Sequence, residues 1–279
     1  MLLCTKILLK LLLQLIPQHI IKILNEKVMQ YNHIDFIAND PISIPHLFTK
    51  KQDIEIAGFF AATLAWGNRK SIMTSCKKLM QIMDNNPYQY ILNLDDNKDW
   101  QYQTKHFVHR TFNNIDLNYF IQFLHYHYVI KNQISLETAF NKELQLNNIN
   151  IENSLNEFYT YFFNDKIIAN YEARTRKHIA APSKKSACKR LNMFLRWMVR
   201  KDITGVDFGL WNTIQPNQLI MPLDVHVVNV ANRLGIINTS KTNWQNAVDL
   251  TNSLKKLDPN DPVKYDFALF SLGVNEGVK

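Results

Sequence analysis

Residues 54–65 constrain the fold most, because they are apolar on almost every side when they are read as a helix. A helix of this kind has no face that belongs in water, so other elements must surround it. Helical spacing continues to about Met83, with a break near residues 66–68. The chain has only 7 glycines and few alternating apolar and polar runs between turn residues. The pattern predicts an all-α protein built around this helix.

The length of 279 residues allows a substantial core, in one large domain or in two lobes. We expect residues 22–279 to form a single helical domain of two lobes, with a cleft between the early helices and residues 185–235. Residues 1–21 read as an apolar N-terminal extension, either an amphipathic first helix or an upstream addition. Polar residues and a proline interrupt this extension, which is too short to span a bilayer. We therefore expect no membrane partner.

The formal net charge of +8 favours an anionic partner such as nucleic acid, although a generic basic surface is an equal alternative. The three cysteines Cys4, Cys76 and Cys188 are far apart and form no disulfide framework, which predicts a reducing cytoplasm. No cluster has metal-ligand spacing, and no glycine-rich phosphate or dinucleotide loop is present. We expect no metal, no cofactor and a monomer.

A second helix is predicted over residues 185–200, and one side of it is polar. Lys189, Asn192, Arg196 and Arg200 recur every three or four positions and form one stripe. Arg190 adds charge near the start of the helix. Such a stripe suits a phosphate backbone, and it is also typical of a solvated helix face.

A third helix is predicted over residues 222–235, where apolar positions fall at helical spacing. Asp224 follows Pro222 at the start of this helix, where a carboxylate can accept hydrogen bonds from free backbone N–H groups. A fixed charge at a helix tip beside a cleft can act on a substrate. It can equally be an ordinary cap.

The sequence PLDVHVVNVANRLG of residues 222–235 resembles the segment after the hairpin of the helix-hairpin-helix DNA glycosylases, which include endonuclease III. The aspartate of that segment is catalytic in the superfamily, so the resemblance implies the same role for Asp224. His226 matches its histidine. The glycine-rich hairpin itself is not retained around residues 204–211, and no lysine follows there.

A substitute for that lysine comes from residues 189–196, KRLNMFLR, which are similar to the lysine-bearing helix of the archaeal 8-oxoguanine glycosylases. This similarity implies that Lys189 is the nucleophile. Residues 64–69, LAWGNR, resemble the early helix whose end enters the duplex, which implies DNA contacts by Asn68 and Arg69. A polar break between two helices is the alternative for that pair.

The remaining residues that we assign to the site follow from the basic stripe, from aromatic rings that could stack on a base and, for His226, from the resemblance. Arg190, Arg196 and Arg200 would contact DNA, and Trp66, Trp211 and His226 would line a base pocket. Aromatic residues in a chain rich in Phe and Tyr also belong in a core.

The whole chain after about residue 22 also resembles an uncharacterised bacterial family known only as a domain of unknown function. Residues 40–45 (DPISIP), 194–200 (FLRWMVR) and 261–269 (DPVKYDFAL) carry that resemblance. The glycosylase resemblance implies an all-α, two-lobed, DNA-glycosylase-like fold. It also implies a DNA repair enzyme that excises a damaged base, with abasic-site lyase activity if Lys189 forms a Schiff base. The alternative is a non-catalytic helical module that binds nucleic acid.

Overall fold

The computed structural model of the protein describes residues 16–140, 149–167 and 173–277. Residues 1–15, which are most of the predicted N-terminal extension and include Cys4, lie outside the described residues. Helix α1 begins within the remainder of that extension, and its residue Ile20 is buried.

Over these residues the chain forms eleven α-helices and one short β-hairpin, which confirms the all-α prediction. The helices are α1 (Gln18–Tyr31), α2 (Lys51–Leu64), α3 (Arg69–Ile82), α4 (Pro87–Leu92), α5 (Trp100–Thr104), α6 (Asn114–His125), α7 (Glu152–Phe162), α8 (Lys189–Val199), α9 (Val225–Arg233), α10 (Trp244–Lys255) and α11 (Asp266–Val274). The antiparallel hairpin consists of β1 (Val108–His109) and β2 (Phe112–Asn113). Short 3-10 turns and one π-helical turn, Tyr126–Ile130, complete the connections.

Helix α2 is the core helix that the sequence predicts, and Ile56, Phe59 and Phe60 on it are fully buried. It packs directly against α8. A Cβ added to Gly58 of α2 would lie 3.1 Å from the Met198 side chain of α8, so the glycine permits the close approach of the two helices. The buried apolar side chains from α1 to α11 join in one cluster within the described residues.

The predicted break after α2 is also confirmed. Helix α2 ends at Leu64, α3 begins at Arg69, and Gly67 between them has a φ of +98°. Only glycine adopts that backbone conformation without strain. The break leaves Trp66 between the end of α2 and the start of α3.

Helix α8 begins later than predicted, at Lys189 rather than residue 185. Lys185 and Cys188 both have left-handed backbone conformations, with φ values of 59° and 50°, which a right-handed helix cannot include. Helix α9 forms where it was predicted, with Asp224 as its N-cap. It packs against α11, which packs in turn against α1.

The start of α8, the start of α9, α11 and the turn between α2 and α3 enclose a cavity. The cavity thus lies between the turn after α2 and the first turns of α8 and α9. The two-lobed domain with a cleft between its lobes remains a prediction. No helix in the described part of the chain combines the length and the apolar character needed to cross a membrane.

Candidate active site

The first turns of α8 and α9 bring an amine and a carboxylate together. Asp224 Oδ1 accepts hydrogen bonds from the backbone N–H groups of His226 and Val227, at 2.9 and 3.0 Å. Its other oxygen, Oδ2, lies 3.8 Å from Lys189 Nζ. The two side chains remain 25% (Lys189) and 22% (Asp224) exposed, so solvent or a ligand reaches both. Asp224 is therefore a helix cap and also an accessible charge.

Two cavities meet at this pair. The larger cavity has a volume of about 720 Å³ and the smaller cavity about 360 Å³. Lys189, Arg190 and Asp224 line both of them. The larger volume falls in the range of roughly 300–1,000 Å³ that is typical of small-molecule sites. A molecule at the pair therefore has space on both sides.

The larger cavity has aromatic walls. Phe36, Trp66 and Phe270 line it, and Lys189 Nζ lies 5.9 Å from the centre of the Phe270 ring. Flat apolar rings of this kind bury a flat heteroaromatic ligand favourably. Sequence reasoning selected Trp66 and missed the two phenylalanines, which look like ordinary core residues on their helices.

Two further carboxyl groups, Asp40 and Asp266, line the same cavity and were also missed. Burial raises the pKa of Asp40, against the lowering effect of a hydrogen bond from the backbone N–H of Ile42. Burial raises the pKa of Asp266 to about 6, against the attraction of the Arg196 guanidinium. Both aspartates fall within the short segments that carry the family resemblance, and that was the one sequence signal available for them.

Arg190 is fixed within the protein at the junction of the cavities. Its terminal nitrogens donate to the backbone carbonyls of Thr63 and His178, at 2.5 and 3.0 Å. Its guanidinium stacks 4.9 Å from the centre of the Trp66 ring, and burial lowers its pKa to about 10. The group therefore shapes the wall and packs against Trp66, with one hydrogen bond already made by each terminal nitrogen.

The structure contradicts the predicted role of Arg196 and Arg200 as DNA contacts. Only 4% of Arg196 and 3% of Arg200 is exposed, and Asn192 of the same stripe is also buried. Burying a guanidinium is costly unless carboxylates pair with it, and here four aspartates do so. Those partners are Asp202, Asp207, Asp261 and Asp266. Arg196 and Arg200 of the polar stripe thus belong to an internal ion-pair network, and Arg196 also lines the wall of the larger cavity.

Trp211 is likewise in the core and not in a base pocket. It is 2% exposed, lines neither cavity, and packs its ring edge-on against Phe194. Its Nε1–H donates to Glu55 Oε1 at 2.7 Å. Buried tryptophans usually need such a partner, and Glu55 supplies it from within α2.

The other predicted residues are divided between the cavity and the surface. Trp66, Arg69 and His226 line the larger cavity, so the structure brings them together with Lys189. Asn68 lines neither cavity and accepts hydrogen bonds from the first N–H groups of α3, including that of Lys70 at 2.9 Å. This is the capping role that a break between helices requires.

Cys188 also lines the smaller cavity, where it is 1% exposed. Burial raises the pKa of its thiol to about 12, so the thiolate that would attack a substrate is not formed near neutral pH. No group of metal-binding side chains occurs among residues 16–140, 149–167 and 173–277. Lys189 and Asp224 are therefore the accessible reactive groups at the junction.

The connection between α8 and α9 differs from a helix-hairpin-helix. Residues 200–224 contain one 3-10 turn, Pro216–Gln218, and no α-helix. The phosphate-binding hairpin of the glycosylases would need a helix on each side of it in this region. Asp224 and Lys189 are therefore brought together here without a helix-hairpin-helix between them.

Neither a curated protein nor a solved structure matches the chain. The sequence model of one family, described as a protein of unknown function (DUF2400), matches residues 40–275. That range includes every residue named at the two cavities except Phe36. The chain belongs to the DUF2400 family.

Proposed function

We propose that this protein is a DNA glycosylase-like repair enzyme that releases an altered base, with Lys189 and Asp224 as its reactive pair. The observation that carries the proposal is the separation of 3.8 Å between Lys189 Nζ and Asp224 Oδ2 at the junction of two cavities. The DNA-glycosylase-like fold, with its two lobes, is part of the same proposal.

The larger cavity would receive the base. An enzyme that acts on a base in duplex DNA must extrude it, at a cost of a few kcal/mol, and hold it between apolar faces. Phe36, Trp66 and Phe270 provide such faces. Asp40 and Asp266 provide hydrogen-bonding groups on the same walls. The sugar would then lie at the Lys189–Asp224 pair.

In the covalent route, Asp224 accepts a proton from the Lys189 ammonium, directly or through a water, as the nucleotide enters. The freed amine attacks C1′ of the sugar, and the bond from C1′ to the base breaks with its electron pair on the base, which takes up a proton. The second proton on nitrogen moves to the ring oxygen as the sugar opens, which leaves a Schiff base between Lys189 and C1′. The Asp224 carboxylate stabilises the positive charge that develops on the sugar.

The Schiff base can then eliminate the 3′-phosphate and be hydrolysed by water, which cleaves the strand and restores Lys189. Without attack by Lys189, Asp224 would instead direct a water to C1′, and the base would leave with the strand intact. Base release and strand cleavage therefore distinguish the two routes.

The test uses duplexes that each contain one altered base, with 8-oxoguanine first, and it measures free base and strand cleavage separately. We expect Asp224→Asn to lower base release at least about 100-fold, as does removal of a preorganised charge-stabilising group in other enzymes. Borohydride should trap a covalent adduct with the wild type and none with Lys189→Ala. Lys184→Ala, which removes an exposed lysine nearby, is the matched control and should retain activity.

Failure to release any altered base from a broad lesion panel, by correctly folded protein, would refute the proposal. An undiminished adduct in Lys189→Ala would remove Lys189 from the mechanism and leave the water route. The alternative of a non-catalytic nucleic-acid-binding module drew its support from the loss of the glycine-rich hairpin together with the basic stripe of α8. Since Arg196 and Arg200 are buried, the stripe no longer supports it.

A further inference from the structure

Four cations connect the mouths of the two cavities along one edge of the molecule. We call them the basic rim: Arg69, Arg110, Arg174 and Lys177. Arg69 lines the larger cavity and Lys177 lines the smaller cavity. The hairpin and the segment that follows residue 172 supply the two cations between them.

Arg110 lies at the turn between β1 and β2, exposed and with a φ of 54°. Its side chain crosses Gly67, since a Cβ on that glycine would lie 2.9 Å from Arg110 Cδ. The hairpin is held in this place because His109 packs its ring 4.9 Å from that of Trp66. The turn after α2 and the hairpin therefore form a continuous edge beside the larger cavity.

Arg174 continues this edge towards the smaller cavity. Its Nη2 donates to the backbone carbonyl of Thr111 in the hairpin at 2.9 Å, and lies 3.4 Å from Asp116 Oδ2. Three residues later, Lys177 is exposed at the smaller cavity. The rim thus runs from the larger cavity, which Arg69 lines, to the smaller cavity, which Lys177 lines.

Two of the four cations of the rim have no acidic partner in the part of the chain that the structure describes. Among the described residues, Arg110 and Lys177 form no ion pair. Several lysines elsewhere do, as in the pairs Lys22–Glu26 at 3.9 Å and Lys27–Glu276 at 2.6 Å. Arg174 is engaged by Asp116, which is fully buried, and Arg69 attracts the carboxyl group of Asp40 in the larger cavity. Unpaired cations in a row attract a chain of phosphates, which releases their counterions.

We propose that the basic rim binds the sugar-phosphate backbone of the DNA strand whose base enters the larger cavity. This inference rests on the proposed function, and it replaces the α8 stripe as the DNA-binding surface. Arg110 and Lys177 contact phosphates on opposite sides of the extruded nucleotide. Arg174 mainly fixes the hairpin against the segment that carries Lys177.

The test compares two double variants that remove the same charge. Arg110→Asn with Lys177→Gln alters the rim, and asparagine is chosen because it tolerates the left-handed conformation at residue 110. Lys98→Gln with Lys201→Gln is the control, since both lysines are exposed and line neither cavity. Lys201 follows the end of α8 that is remote from Lys189, about 16 Å along the helix.

Fluorescence anisotropy would measure binding of an unmodified 20-base-pair duplex at several salt concentrations, after circular dichroism has shown that the variants are folded. Each lost phosphate contact lowers the slope of log affinity against log salt by about 0.9. We expect the slope of the rim variant to fall by roughly 1.8, with at least a tenfold loss of affinity near 0.1 M salt. The control should keep the wild-type slope.

Equal losses in both double variants would overturn the proposal, because the effect would then follow total charge and not position. Unchanged binding by the rim variant would also overturn it, even if the wild type releases an altered base. Conversely, a loss confined to the rim variant supports the DNA-binding surface even if no lesion is processed. The two proposals therefore fail independently.

Discussion

Replacing Arg200 by methionine tests whether the buried cations of α8 are structural. Arg200 Nε donates to Asp261 Oδ2 at 2.9 Å, and its Nη1 lies 3.1 Å from Asp207 Oδ2 and 2.6 Å from Asp202 Oδ2. Methionine retains most of the volume and removes the charge. The three carboxylates then lose a partner that 97% burial has shielded from water.

Breaking a buried ion pair costs about 3–5 kcal/mol. Asp202 and Asp261 are 18% and 24% exposed, so water recovers part of the loss, whereas Asp207 is fully buried and retains Arg196. We therefore expect the free energy of unfolding of Arg200→Met to fall by about 3 kcal/mol, near the lower end of that range. For a chain of this size, the melting temperature should fall by about 6–12 °C.

Urea unfolding followed by tryptophan fluorescence measures this loss, with Lys201→Met as the exposed control. The control should change stability by no more than about 0.5 kcal/mol. The difference in the free energy of unfolding between the wild type and Arg200→Met should become smaller as pH is lowered from 7.5 to 5. Burial already raises the pKa of Asp261, and without Arg200 the folded variant binds a proton there before the unfolded chain does.

A loss below about 1 kcal/mol, together with weaker DNA binding by the folded variant, would refute this reasoning. It would return Arg200 to the role of a phosphate contact. A loss of about 3 kcal/mol with unchanged DNA affinity for each folded molecule would agree with the ion-pair network.

Three further substitutions test other parts of the structure. Trp211→Phe keeps the packed ring and removes the donor to Glu55, so urea unfolding should show a loss of about 1–3 kcal/mol, while base release by the folded protein stays unchanged. Gly67→Ala should lower thermal stability by about 1–3 kcal/mol, because of the φ of +98° and the contact with Arg110, and it should also reduce the salt slope of DNA binding. In urea titrations, the free energy of unfolding of the wild type should fall by roughly 2–3 kcal/mol as pH rises from about 4 to 6. Asp266→Asn should abolish this fall. In that window the folded protein keeps a proton on Asp266, whose pKa is raised to about 6, and the unfolded chain has released it.

Helices α2, α8 and α9 could be predicted because each leaves a local pattern of buried positions. Helix α2, the break after it and α9 all follow from spacing within one segment. The late start of α8 could not be predicted, because Lys185 and Cys188 adopt left-handed conformations that glycine or asparagine usually marks. Tertiary contacts hold those two residues in a backbone conformation that lysine and cysteine do not favour by themselves.

The site could be predicted in part for a similar reason. Lys189 and Asp224 each mark the start of a helix, and their resemblance to one family suggested that they meet. The burial of Arg196 could not be foreseen, because its partners Asp207 and Asp266 lie 11 and 70 positions away. A polar stripe on one helix looks the same whether water or distant carboxylates face it.

The two oxygens of the Asp224 carboxylate have different partners: Oδ1 caps α9 and Oδ2 lies near Lys189. One oxygen accepts hydrogen bonds from the first turn of α9, so the side chain cannot rotate towards an incoming ligand without uncapping its helix. The position of the negative charge is therefore decided when the protein folds, and no reorganisation energy remains to be supplied during a reaction. Lengthening this side chain by a single methylene would therefore move the charge away from this position.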